Sequence, residues 1–145
     1  MTEVSFHFNV PDTLVYACRL LRKATRQGSR VTVTGDGATL AGLDRALWSF
    51  DPIEFIPHLL LRGGQAPVER QRATPVCLVE DLGAALHHDV LVNLGAEPPR
   101  GFETFARVIE IVSTDADERS AARERWKHYA SRGYAIVKHE AGAGA

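Results

Sequence analysis

From Val4 to Val10 apolar and polar side chains alternate, the period of a strand with one buried face. Pro11, Asp12 and Thr13 then turn the chain and offer a helix N-cap. Leu14, Tyr16, Ala17, Leu20, Leu21 and Ala24 recur at helical spacing, and Gln27-Gly28 supplies the stop. Arg30 to Thr34 reads as a short β-branched strand. Gly35-Asp36-Gly37 leads from it into a second helix with the apolar face Leu40, Leu43, Ala46, Leu47 and Trp48. Asp51-Pro52 breaks that helix.

The run Phe55 to Leu61 is strongly apolar, is interrupted by Pro57, and reads as a connector that is packed in part and exposed in part. Arg62 to Arg72 is a polar, glycine-containing loop. Pro75 to Val79 and Val90 to Leu94 have the uniform apolar character of central strands, with a short helix expected between them over Asp81 to His88. A loop at Pro98 to Phe102 and a helical turn at Phe102 to Ala106 precede the strand Arg107 to Val112. Asp115 to Tyr129 is a helix with an apolar stripe of Ala122, Trp126, Tyr129 and Ala130, ended by Gly133. Tyr134 to Val137 is a last strand, and Ala141 to Ala145 is expected to be disordered.

Strands alternating with helices predict an α/β fold, a three-layer sandwich around a largely parallel sheet. Residues 1–140 are expected to form a single domain, with 141–145 as a tail.

Composition narrows the function classes. The 145 residues carry a formal net charge of -1, so nothing global draws the chain to nucleic acid or an anionic membrane. Cys18 and Cys77 fall in apolar runs without ligand-type neighbours, which reads as buried free thiols rather than a metal site or disulfide framework. No basic n-region opens the chain, and no apolar stretch approaches the ~20 residues that span a bilayer. A soluble cytoplasmic protein is expected.

No catalytic signature is complete. Gly35-Asp36-Gly37 follows a strand and opens a helix, but Leu40 stands where a dinucleotide fingerprint needs its third glycine. Arg62-Gly63-Gly64 lacks the ending of a phosphate loop. His87 and His88 are adjacent and so diverge; with His58 they read as surface histidines. Glu80-Asp81 reads as helix-end carboxylates in preference to an acid/base pair. No catalytic residue, metal site or cofactor is assigned. The feature that remains is basic: Arg119, Arg123 and Lys127 stand at i, i+4 and i+8 on the last helix, a ridge suited to an acidic ligand.

Three phrases carry a family resemblance: Leu43-Asp44-Arg45-Ala46-Leu47-Trp48, Glu54-Phe55-Ile56-Pro57-His58, and Ala122 to Tyr129 with its Arg123-Glu124-Arg125-Trp126-Lys127 centre. Together with the order of elements over nearly the whole chain, they resemble the chi subunit of bacterial DNA polymerase III. The resemblance implies a Rossmann-like α/β fold without a phosphate-binding loop and no catalytic activity of its own. It also implies a cytoplasmic replication adaptor and two partners, the psi subunit and the acidic, phenylalanine-ended tail of single-stranded DNA-binding protein. Carried over by position, the tail site is Trp48, Val112, Arg119, Arg123 and Lys127, and the psi surface is Phe55, Ile56 and Pro57. Direct nucleic-acid binding through the ridge and a nucleotide-binding enzyme using Gly35-Asp36-Gly37 are the competing readings.

Overall fold

The computed structural model describes residues 1–61 and 68–141. The strands are β1 (Glu3–Val10), β2 (Val31–Thr34), β3 (His58–Leu61), β4 (Val76–Val79), β5 (Val90–Asn93), β6 (Arg107–Ser113) and β7 (Ile136–Glu140). The α-helices are α1 (Thr13–Arg26), α2 (Gly37–Ser49) and α3 (Ala116–Ser131), and single 3-10 turns occur at Glu69–Ala73, Leu82–Ala84 and Phe102–Thr104. The strands form one sheet in the order β3-β4-β2-β5-β6-β1-β7, every described pair parallel. The expected α/β sandwich around a parallel sheet is therefore observed.

Two apolar layers enclose the sheet. One packs α1 and α2, through Ala17, Cys18, Leu21, Leu40, Leu43 and Leu47, onto Val33, Leu78, Val92 and Ile111. The other packs α3, through Ala122 and Tyr129, onto Val4, Phe6, Leu91, Val108 and Val112. Alternate residues of β6 thus belong to opposite layers, as the pleat requires. Each helix begins on an aspartate cap: Asp12 accepts from Val15 N, Asp36 from Thr39 N and Asp115 from Glu118 N. Burial pushes both cysteine thiols up, Cys18 to about 11, which leaves them as inert core groups.

Four expectations change. The apolar run after Pro57 contains the edge strand β3, because Leu59 and Leu61 can cover one side of β4's edge while Leu60 serves the other. No α-helix forms over 81–88; Asp81 accepts from Gly83 N and holds one 3-10 turn, after which the chain extends to bury His87. The last strand runs on to Glu140, since pairing with β1 continues through Phe8. His58 and His87 are not surface groups: the His58 side chain is fully buried and His87 is 7 % exposed. The expected loop positions 62–67 and tail positions 142–145 lie outside the described residues.

His7 on β1, the strand next to the β7 edge, gives the fold a response to acid. Its Nδ1 meets the Tyr16 hydroxyl, and its ring centroid lies 4.6 Å from that of His139. Burial first, then the neighbouring His139 and Arg107, hold its pKa at about 4. The folded state therefore keeps His7 neutral, whereas the unfolded chain protonates it near pH ~6.5. Stability is expected to be complete above that value and to fall as the pH drops towards about 4. Urea midpoints across this range test it: His7→Phe should flatten the dependence, and an unchanged profile in the variant would assign the acid sensitivity elsewhere.

Candidate functional site

Glu110 organises the α3 side of the molecule. It is fully buried in β6, and its carboxylate accepts from Arg125 Nε at 2.8 Å, Tyr129 OH at 2.6 Å and Asn93 Nδ2 at 3.0 and 3.1 Å. Burial raises the Glu110 carboxyl, while Arg125 first, then Tyr129 and Asn93, pull it back. Arg125 also donates to Ala96 O at 3.1 Å, and Asn93 to Glu97 O at 3.1 Å. Arg125 and Tyr129, one turn apart, thereby lock the inner face of α3 to β6, β5 and the loop after β5. Buried charge survives here because each partner is satisfied. A sequence signal existed for this network: Glu110 interrupts an otherwise apolar strand, and Arg125 falls inside the apolar stripe of α3.

With the inner face pinned, the outer flank of α3 is set. Arg119, Arg123 and Lys127 are all exposed, and each step of four residues turns only about 40° round the helix, so they form one ridge. Lys127 Nζ stands 3.4 Å from Glu124 Oε1 in a solvent-exposed pair; Arg119 and Arg123 have no ion-pair partner among the described residues. Trp126 follows Arg123 by three positions and lies on the same flank, half-buried. Its ring sits 5.1 Å from Phe6 and 6.2 Å from Phe8, and Lys138 Nζ on β7 lies 5.6 Å above it. The ridge therefore borders an aromatic floor with a fourth cation at its margin, next to the free edge of β7.

Two residues expected beside the ridge are elsewhere. Val112 is 1 % exposed, enclosed under α3, and so supports the helix without facing an open pocket. Trp48 is on α2, and α2 packs on the opposite side of the sheet from α3. It stands 63 % exposed with its ring centroid 5.0 Å from Phe55 and 5.2 Å from His58. His58 bridges Asp44 at 3.1 Å and Ile56 O at 2.8 Å, which fixes the imidazole beneath both aromatic rings. Phe55 is 50 % exposed and forms an apolar patch with Trp48, and Ile53 (95 % exposed) and Pro57 (exposed) flank Phe55 two residues away along the chain. Ile56 is buried in the α1–α2 core and steadies the patch from below.

A cavity of about 1130 Å³ opens at the carboxyl ends of β2, β4 and β5, where parallel sheets commonly bind ligands. The Gly35-Asp36-Gly37 turn lies there, but its chemistry opposes phosphate. The side chain of Asp36 caps α2, and the Glu80 carboxylate lies so close that a Cβ on Gly37 would collide with it. The N-terminal dipole of α2 is thus met by the chain's own carboxylates, and Asp81, Glu97 and Glu103 add to them in a lining where five acidic side chains outnumber the two arginines, Arg100 and Arg132. No group of three or more His, Cys, Asp or Glu side chains able to hold a metal occurs among the described residues. No helix among them is long and apolar enough to cross a membrane.

Comparison with known proteins agrees with the sequence phrases. A family model described as "DNA polymerase III chi subunit, HolC" matches residues 1–137. The chain is similar to the DNA polymerase III subunit chi of Pseudomonas aeruginosa, 37 % identical over 145 residues that cover 96 % of each protein. It is 32 % identical to the Haemophilus influenzae subunit chi over 129 residues, 87 % of this chain and 85 % of that one. With the Escherichia coli subunit chi it shares 30 % identity over 147 residues, 92 % of this chain and 95 % of that one.

Proposed function

The chain belongs to the DNA polymerase III chi subunit family, and on that premise we propose that it is a non-catalytic adaptor with two protein-binding surfaces on opposite sides of its sheet. The α3 ridge takes the acidic C-terminal tail of single-stranded DNA-binding protein. The Trp48–Phe55 patch takes the psi subunit and through it the clamp loader. The adaptor thereby links the polymerase machinery to coated single-stranded DNA without touching the nucleic acid itself, and it uses no cofactor.

The observation that carries this reading is the separation of chemistries. On the α3 side a row of exposed cations borders half-buried aromatic rings, whereas on the α2 side two exposed aromatic rings, Trp48 and Phe55, lie against each other. Guanidinium groups suit a peptide ending in carboxylates, and Arg123 can grip one through two parallel hydrogen bonds. Trp126 and Phe8, in place of Trp48 and Val112, offer the apolar surface for the terminal phenylalanine ring. An exposed apolar patch such as the second one is characteristic of a protein interface. The acidic lining at Gly35-Asp36-Gly37 weighs against the nucleotide reading.

Fluorescence anisotropy with a labelled peptide ending in Asp-Phe-Pro-Phe tests the first surface, and affinity should fall as salt rises. Trp48→Ala separates the two surfaces. It should leave the peptide affinity within about twofold and weaken psi binding by roughly thirtyfold, the effect of truncating an aromatic anchor. A variant that loses the peptide and keeps psi would reverse the assignment.

A further inference from the structure

The free edge of β7 lies beside the ridge, and the two have matching repeats. Among the described residues β7 is the outermost strand and bonds to β1 alone, so the backbone groups on its other side are unpaired within the described sheet. Its residues from Val137 to Glu140 are exposed. Along α3 the cations at i, i+4 and i+8 rise in steps of about 6 Å and span about 12 Å. An extended peptide places alternate side chains about 6.6 Å apart on one face, so three carboxylates at every second position span a similar length.

Resting on the acidic-tail reading above, we infer that the tail binds as an added strand along β7, its carboxylates facing Arg119, Arg123 and Lys127. Lys138 strengthens the arrangement: it projects from β7 over Phe8 and Trp126, at 5.9 and 5.6 Å, on the side that α3 covers. Glu140, the one acidic residue of β7, is engaged by the side chain of Asn9 on β1. The opposite edge, β3, lacks this complementarity, since Asp44 of α2 lies against its first residue, His58. Main-chain bonds to β7 would supply affinity while the cations select charge and register.

Two versions of the tail peptide test the inference, each carrying backbone N-methyl groups at alternate residues in opposite phase. One phase should bind at least about tenfold weaker, the loss expected when backbone bonds to β7 are removed, and the other should bind within about twofold of the unmodified peptide. The tail's proline, which has no N–H, belongs to the tolerated phase. Amide exchange should slow at the alternate β7 amides that do not bond to β1. Equal effects from both phases, or unchanged β7 exchange on peptide binding, would overturn strand addition and leave the ridge as an ion-pairing surface. Failure of the unmodified peptide to bind would instead overturn the acidic-tail reading itself.

Discussion

Arg125→Met should lower the unfolding free energy by about 3–5 kcal/mol, the typical cost of removing one partner from a buried ion pair. Methionine replaces the aliphatic stem of the arginine, so the loss arises chiefly from leaving the fully buried Glu110 without its guanidinium while Tyr129 and Asn93 still point at it. Against a total stability of about 5–15 kcal/mol for a domain of this kind, the effect is large enough to read in a urea titration. Its pH dependence has a definite sign. Without Arg125 the buried carboxyl is raised further, so the deficit is greatest at neutral pH and shrinks as acid neutralises Glu110. Adding Glu110→Leu should restore much of the loss, because two apolar groups leave no stranded charge. A deficit below about 1 kcal/mol for Arg125→Met would show that the pair does not anchor α3.

Arg123→Ala should weaken the tail peptide about ten- to a hundredfold, roughly 1.5–3 kcal/mol for a charged hydrogen-bond donor. Stability should hardly change, since Arg123 is exposed and has no ion-pair partner among the described residues. Arg123→Lys should recover only part of the affinity, because an ammonium keeps the charge and loses the planar fork. Fluorescence anisotropy at several salt concentrations measures both, and the alanine variant should also show a shallower salt dependence. Unchanged affinity in Arg123→Ala, with Arg119→Ala or Lys127→Ala equally silent, would remove the ridge from the binding site.

Much of the fold was legible because the signals are local. The alternation through Val4 to Val10, the β-branched run before Gly35, and the caps Asp12, Asp36 and Asp115 depend on neighbours within one turn or one pleat. Where a local signal competed with packing, packing prevailed. Asp81 to His88 has helix-like composition, yet it forms a single 3-10 turn and delivers His87 to the interior. Leu59, Leu60 and Leu61 gave no clear period, because an edge strand serving both layers shows none. The ridge itself was readable from its spacing of four, as helix geometry alone brings its members together.

The sequence by itself determined the three α-helices, six of the seven strands, the parallel sandwich, the basic ridge and the family. Only the tertiary structure decided which surface each residue joins. Trp48 was expected with Arg123, and the fold places it with Phe55 on the far side of the sheet. Val112 and Ile56 were expected at surfaces and are core residues. The reason is topological: α1 and α2 connect strands stepping towards β3, whereas α3 connects β6 to β7 in the opposite direction. Right-handed crossovers that step in opposite directions must cover opposite faces, so α2 and α3 are separated by the sheet, a relation that residue spacing along the chain does not encode.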